Sequence, residues 1–165
     1  MHPKIQPSKL TLGNQPKSGK WHVTKDLAAF KLNVERFNNL CLEQPGLSEL
    51  GTRLLAIGGS VICVVGFEED LDFILKAGQA WAPTKRQVIL HKGTPSRCHD
   101  NVLSLWEANP QVKVCTGYAL SEDGVWRCHS WCIADGNIVE TTLTRLAYYG
   151  FILSTRQIKQ RLQEL

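Results

Sequence analysis

The chain has 165 residues, of which 43% are hydrophobic and 21% are charged, the balance of an ordinary globular protein. No apolar run approaches the roughly 18 residues that a membrane span needs, so the composition excludes a membrane-spanning protein. The formal net charge of +4 comes from basic residues dispersed among acidic ones, whereas nucleic-acid binders usually concentrate them on one face. The sequence therefore argues against nucleic acid as a partner.

The first 20 residues are polar and rich in Pro, Lys, Gly and Ser. They lack the apolar centre and cleavage site of a secretory signal, so we expect a disordered basic arm at 1–20 and a cytoplasmic protein. In a reducing compartment, cysteine serves as a core residue, a metal ligand or a nucleophile rather than in disulfides. The six cysteines are Cys41, Cys63, Cys98, Cys115, Cys128 and Cys132.

The next part of the chain, about 21–80, has apolar residues at helical spacing. Its Pro-Gly and Gly-Gly pairs separate the predicted elements. We expect, in chain order, a helix from a Thr24 cap to about Gln44, a short helix from a Ser48 cap to Ile57, a buried strand over Val61–Phe67 and a helix over Leu71–Leu75 that Gly78 closes.

The remainder, about 81–165, is rich in β-branched residues and in short turns that contain glycine. The turns at 122–124 and 135–136 indicate hairpins, so we expect an antiparallel meander. A Tyr-Tyr-Gly-Phe cluster at 148–151 is interpreted as packing of a C-terminal connection. We expect, after a Trp81-Ala82-Pro83 turn, a strand over Val88–Leu90, a helix from Ser96 to about Asn109, strands over Val112–Leu120, Val125–Ile133 and Asn137–Thr142, and a helix capped by Ser154.

This order places helices first, then one helix opened by a Gly-Thr-Pro-Ser turn, then an antiparallel sheet. Such segregation is typical of the α+β class rather than of alternating α/β folds. We therefore predict a single α+β domain over 21–165, with a helical half at about 21–80 and a catalytic half at about 81–165.

Cys98 lies in the first turn of the helix predicted from Ser96. The exposed N–H groups and the positive end of a helix favour an anion, so a thiol there is expected to have a lowered pKa. The same N–H groups can hold an oxyanion that develops on a substrate carbonyl. Arg97 and His99 add positive charge nearby if their side chains turn towards the thiol.

His129 and Glu140 lie on the two strands of the last predicted hairpin. Pairing the strands about the turn at 135–136 places Glu140 opposite Trp131 to Ile133, within reach of His129 if both side chains project from one face. A carboxylate so placed fixes the imidazole tautomer while the other ring nitrogen faces a thiol. The sequence thus predicts a catalytic triad of Cys98, His129 and Glu140.

The stretch His129-Ser130-Trp131, a short hairpin and Val139-Glu140-Thr141-Thr142 resembles the His-x-Trp, hairpin, acid-x-Thr signature of transglutaminase-like and related papain-like cysteine enzymes. The order of Cys98, His129 and the acid is similar too, since those enzymes carry the nucleophile at a helix N-terminus ahead of the histidine strand. The resemblance covers about 93–142. It departs from the family pattern at His99, where transglutaminases often have Trp, and in having Glu rather than Asp as the acid.

The resemblance implies a papain-like core and roles for the three residues: Cys98 as nucleophile, His129 as general base and acid, and Glu140 as the orienting acid. It implies a hydrolase or acyl transferase that forms a thioester on an amide-type substrate of protein or peptide character, without a cofactor. The second oxyanion donor of the family has candidates by position alone, namely Gln79 and Gln87.

Three aromatic residues are predicted to bind substrate, because Trp126 and Trp131 flank His129 and Tyr118 lies on the partner strand. Packing in a buried strand is an equally good explanation for the two tryptophans.

Two alternatives stay open beside the enzyme. One is a non-catalytic binding module that keeps a papain-like frame. The other is a zinc site, for which the sequence offers Cys98-His99, Cys128-His129 and Cys132 as ligands. Cysteines spaced along a strand do not form the turn that structural zinc sites use, so we predict no metal site.

Overall fold

The computed structural model describes residues 27–165, so the arm predicted at 1–20 and the Thr24 cap lie outside the described residues. The described chain combines helices with one sheet, consistent with the α+β class. Its helices are α1 (Leu27–Glu43), α2 (Gly46–Ile57), α3 (Leu71–Ala77), α4 (Cys98–Ala108) and α5 (Thr155–Leu162), with a 3₁₀ turn at Lys85–Gln87. Its strands are β1 (Val61–Cys63), β2 (Gln79–Trp81), β3 (Val88–Leu90), β4 (Lys113–Leu120), β5 (Val125–Ala134), β6 (Asn137–Glu140) and β7 (Ala147–Ile152).

The sheet has the strand order β2-β7-β4-β5-β6-β3, with β1 placed beside β5. The meander of β4, β5 and β6 is antiparallel as predicted. The sheet as a whole is mixed rather than antiparallel, because β1 joins β5 and β3 joins β6 in parallel. Long segments of chain connect β1 to β5 and β3 to β6, as parallel pairing requires.

The two faces of the sheet bury different clusters. On one face α2, α3 and α4 pack against strand residues that include Val114, Tyr118 and Trp126. The other face holds a smaller cluster around Cys115, Trp131 and Tyr148, with Trp81 of β2 packed at its side. None of the helices within 27–165 combines the length and apolarity needed to cross a membrane.

Several predicted elements have different bounds. The strand expected over Val61–Phe67 ends at Cys63, because the chain leaves the sheet there and exposes 92% of Val65 and 68% of Phe67. Helix α2 begins at Gly46, before the expected Ser48 cap, since Pro45 already has the helical φ of −56° that suits a helix start.

Strands β2 and β7 were not predicted from the sequence. β7 is a central strand: it pairs with β4 on one side and with β2 on the other. Its Gly150 interrupts the apolar pattern, and the glycine is needed because a Cβ there would lie 2.1 Å from the carbonyl oxygen of Thr116. The cluster at 148–151 is therefore a strand of the sheet and not a connection.

The edge of β5 that faces away from β4 is shared by two strands. β1 pairs with positions 125–127 of β5, and β6 pairs with positions 132–134. The described strands therefore leave positions 128–131 of this edge uncovered. The first turn of α4 lies at this gap, since the ring of His99 bonds with Ser130.

Candidate functional site

The loop before α4 sets the position of Cys98. The side chain of Asn101 accepts from the backbone N–H of Thr94 (3.0 Å) and donates to its carbonyl oxygen (2.8 Å). Gly93 donates to the carbonyl oxygen of Thr141 (2.8 Å), which ties the loop to the chain just after Glu140. Both ends of the loop are thus attached to the elements that carry the predicted triad.

Helix α4 begins at Cys98 itself, two residues later than the Ser96 start that the sequence predicts. Ser96 has a positive φ of 60°, a left-handed conformation that a helix cannot contain. Cys98 is partly buried and is the first helical residue, at the end of α4 where backbone N–H groups have no partner within the helix.

The hairpin of β5 and β6 brings His129 and Glu140 together. The observed register pairs Cys132 with Val139, so Glu140 comes next to Trp131, at one end of the predicted range. The distance from His129 Nε2 to Glu140 Oε2 is 2.8 Å, and both side chains are buried, with 3% and 0% exposed. Because Nε2 is engaged by the carboxylate, Nδ1 is the ring nitrogen left for the hydrogen bond with Cys98.

The carboxylate of Glu140 has partners for both of its oxygens. Oε1 accepts from the backbone N–H of Thr141 (2.8 Å) and from the N–H and hydroxyl of Thr142 (3.0 and 3.1 Å). Oε2 accepts from the hydroxyl of Tyr148 at 3.0 Å, in addition to its bond with His129. A buried charge is tolerated when it is paired and hydrogen-bonded in this way.

These contacts decide the charge of each group. Burial raises the pKa of Glu140, but its bond with His129 and the donors around it outweigh burial and lower the pKa below the ordinary range. Burial lowers the pKa of His129, whereas its bonds with Cys98 and Glu140 raise it, with a net rise. Burial also raises the pKa of Cys98, yet hydrogen bonds and positive charge from His129 and His99 lower it to about 5. These shifts favour a thiolate at Cys98 and a protonated imidazole at His129.

His99 lies at the other face of the sheet, where Ser130 fixes its ring. Its Nδ1 lies 2.7 Å from Ser130 Oγ, and Ser130 in turn donates to Thr116 Oγ1 at 3.1 Å. Its Nε2 lies 3.9 Å from Cys128 Sγ. Arg97, the other nearby cation, instead bonds with Asp100 at 2.5 Å. Of the two basic residues beside Cys98 in the sequence, His99 rather than Arg97 lowers the pKa of the Cys98 thiol.

The three aromatic residues predicted to bind substrate are buried. Trp126 donates from Nε1 to the carbonyl oxygen of Gly58 at 2.8 Å, and Tyr118 donates to Glu68 Oε2 at 2.5 Å. Trp131 packs edge-on against Trp81, with ring centroids 5.5 Å apart. In this conformation Trp126, Trp131 and Tyr118 present no surface to a substrate, because all three have 0% exposure. Their substrate role stays a prediction, and the contacts seen are those of packing.

The two glutamines proposed as oxyanion donors lie away from Cys98. Gln87 accepts from Thr84 and precedes the pairing of Val88 with Ile138, so it lies roughly 10 Å along β3 from the level of Glu140. Gln79 is level with His129 but is separated from it by β7 and β4, roughly 14 Å across the sheet. Neither glutamine therefore lies beside Cys98.

Tyr148 is a site residue that sequence reasoning missed. Its hydroxyl reaches Glu140 because β7 crosses the sheet beside β4, a pairing that is distant in sequence. Burial raises the pKa of Tyr148, so the hydroxyl keeps its proton and donates. An aromatic residue with a polar tip in a buried strand is a weak signal for such a role.

The zinc alternative finds no support in the geometry. No three His, Cys, Asp or Glu side chains of residues 27–165 converge as metal ligands. Cys132 is directed at the carbonyl oxygen of Val102 (3.9 Å), and the Nε2 of His129 is occupied by Glu140.

No protein-family model, curated protein or solved structure matches this chain.

Proposed function

We propose that the chain is a cysteine hydrolase or acyl transferase that acts on an amide-type carbonyl through a thioester at Cys98. The observation that carries the proposal is the chain of contacts from Glu140 to His129 to Cys98. A buried carboxylate that holds one imidazole nitrogen while the other meets a helix-start thiol is the arrangement that activates a cysteine nucleophile.

The charges assign a step to each group. The Cys98 thiolate attacks the substrate carbonyl carbon, and the oxyanion that forms is held by N–H groups in the first turn of α4. The imidazolium of His129 then gives its proton to the leaving amine as the C–N bond breaks, which leaves a thioester. His129 next takes a proton from water or from an acceptor amine, whose attack releases the acyl group and restores the thiolate.

The arrangement also supports a papain-like or transglutaminase-like core. The nucleophile opens a helix that packs on the sheet, the histidine lies on an antiparallel strand, and the acid lies on the next strand. The three residues also follow the order that the resemblance gives for those families.

The surroundings favour a protein or peptide-like substrate. Cys98 is partly exposed, whereas its two partners are enclosed, so the sulfur is the member of the triad that a large substrate can reach. The segment after β1 reaches this part of the sheet, since its Glu68 accepts a hydrogen bond from Tyr118, the residue opposite Cys128. This segment exposes Val65 and Phe67, two apolar side chains suited to contact a peptide.

The proposal is tested by a search for the acyl-enzyme with p-nitrophenyl acetate as the acyl donor. A burst of nitrophenol of about one equivalent is expected, with the acetyl group on the Cys98 peptide by mass mapping. Cys98→Ser removes the burst, whereas Cys63→Ser, a change at another partly buried thiol, retains it. An acetyl group spread over other residues, or a burst retained in Cys98→Ser, would reject the proposal.

A further inference from the structure

Two histidines lie near Cys98, and the triad uses only one of them. His129 approaches from the face that carries Glu140, and His99 lies on the face that carries Ser130. We infer that His99, held by Ser130, is a second cationic partner of the Cys98 thiolate, so that His129 can release its proton without loss of the thiolate. The inference rests on the proposed function only in taking Cys98 as the reacting thiol.

The first support is the fixed orientation of the His99 ring. Ser130 uses its hydroxyl proton for Thr116 Oγ1, so its oxygen is an acceptor for the Nδ1–H of His99. The remaining ring nitrogen, Nε2, then faces the sulfur of Cys128 at 3.9 Å, and Cys98 precedes His99 in the same helical turn. In the charged ring Nε2 carries a proton and donates to a thiolate, whereas in the neutral ring it can only accept.

The second support is the charge around the ring. The titratable groups that face His99 are Cys98 on its own helix, Cys128 on β5 and Glu68 in the segment after β1. Each of them is neutral or negative. Hydrogen bonds with Cys128 and Cys98 raise the pKa of His99, although its exposure to solvent moderates the effect. Arg97, the cation nearest in sequence, is paired with Asp100 and turns away.

A second cation changes how the thiol titrates. In a single Cys–His pair, removal of the imidazolium returns the sulfur to the pKa of an ordinary thiol, about 8.5. With His99 in place, the thiolate persists when His129 has given its proton to a leaving group. His99 is thus a positioning residue for the charge of the nucleophile and takes no part in proton transfer.

The test is the pH dependence of iodoacetamide alkylation at Cys98, read by peptide mapping, because the rate follows the thiolate fraction. In His99→Ala and in His99→Gln, which keeps a polar side chain without the charge, the inflection is expected to rise by about one pH unit. Ser130→Ala shifts it in the same direction by less. In His129→Ala the inflection stays below that of an ordinary thiol, and in the double variant with His99→Ala it reaches that of an ordinary thiol.

His91→Ala is the matched control, since His91 is an exposed histidine in the segment that leads to α4. An inflection in both His99 variants equal to that of the wild type and of His91→Ala would overturn the inference. Alkylation needs no substrate, so its pH dependence tests the role of His99 by itself. If the chain is not a hydrolase or acyl transferase, the acyl-enzyme assay shows this separately. Thermal unfolding of each variant shows that a shift comes from a folded protein.

Discussion

Two thiols near the contact of α4 with β5 have opposite properties. Cys98 opens α4 and meets His129 and His99, which overcome the effect of burial and lower its pKa to about 5. Cys132 lies beneath α4, 3.9 Å from the carbonyl oxygen of Val102, and burial together with the charge of Glu140 raises its pKa to about 12. Burial also raises the pKa of Cys115.

Position relative to the sheet, and not residue type, therefore distinguishes the reactive thiol of Cys98 from the buried, unreactive thiol of Cys132. Both sulfurs lose water. Cys98 gains two imidazoles and a helix start at the gap beside β5, whereas Cys132 faces a carbonyl oxygen and is exposed to the negative charge of Glu140. Substitutions that remove one of these features test the difference between the two regions.

Removal of the carboxylate is expected to have the largest effect. Glu140→Ala leaves His129 buried without its partner and orphans the donors of Thr141 and Tyr148. The free energy of unfolding should fall by about 3–5 kcal/mol, the usual cost of breaking a buried pair. Urea denaturation measures it, with Glu122→Ala, at an exposed turn residue, as the control. A loss equal to that of the control would show that the pair does not stabilise the fold.

The pair should also make stability depend on pH in a defined window. The lowered pKa of Glu140 gives stabilisation that is complete above the ordinary Glu value of about 4.3 and is lost as the pH falls through the folded pKa. The raised pKa of His129 gives stabilisation that is complete below about 6.5 and is lost as the pH rises through the folded pKa.

The check is thermal unfolding against pH, in a Cys98→Ala background so that the thiol itself does not titrate. The difference in melting temperature between this protein and its His129→Gln, Glu140→Gln derivative should be full just above about pH 4.3 and should shrink as the pH falls below it, because the lowered pKa of Glu140 does not depend on Cys98. A difference that is constant across the range would show that the two groups do not stabilise each other through charge.

A smaller effect is expected for the tyrosine that completes the site. Tyr148→Phe removes one donor from Glu140 Oε2 and keeps the ring in its packed cluster. The expected loss of stability is about 1–2 kcal/mol, and the acylation rate should fall less than in Glu140→Gln, because His129 stays bonded. Burst kinetics with p-nitrophenyl acetate rank the two variants. An acylation rate lower in Tyr148→Phe than in Glu140→Gln would place the tyrosine closer to the chemistry than its geometry indicates.

Local signals were sufficient for much of this architecture. The turns at 122–124 and 135–136 gave the meander, and the hairpin register then placed Glu140 near His129. Ser154 caps α5 as predicted, with its hydroxyl accepting from the backbone N–H of Gln157 at 3.3 Å. Each of these features depends on residues close in sequence.

The features that were missed depend on distant partners. β2 has three residues, too few to show a period of two, and β7 is made a strand by its neighbours β4 and β2. Val65 and Phe67 have strand composition, but the chain leaves β5 after Cys63, the last residue of β1. The bond of His99 with Ser130 follows from the gap between β1 and β6, and no local pattern indicates it.

The measurement that tests the account most directly is the rate of iodoacetamide alkylation at each of the six cysteines of the native protein between about pH 4 and pH 10, read by peptide mass mapping. We expect Cys98 to react first, with an inflection near pH 5, and Cys115 and Cys132 to stay unreactive while the protein is folded. A Cys98 that reacts only above about pH 8.5, as an ordinary thiol does, would contradict a thiolate held by His129 and Glu140.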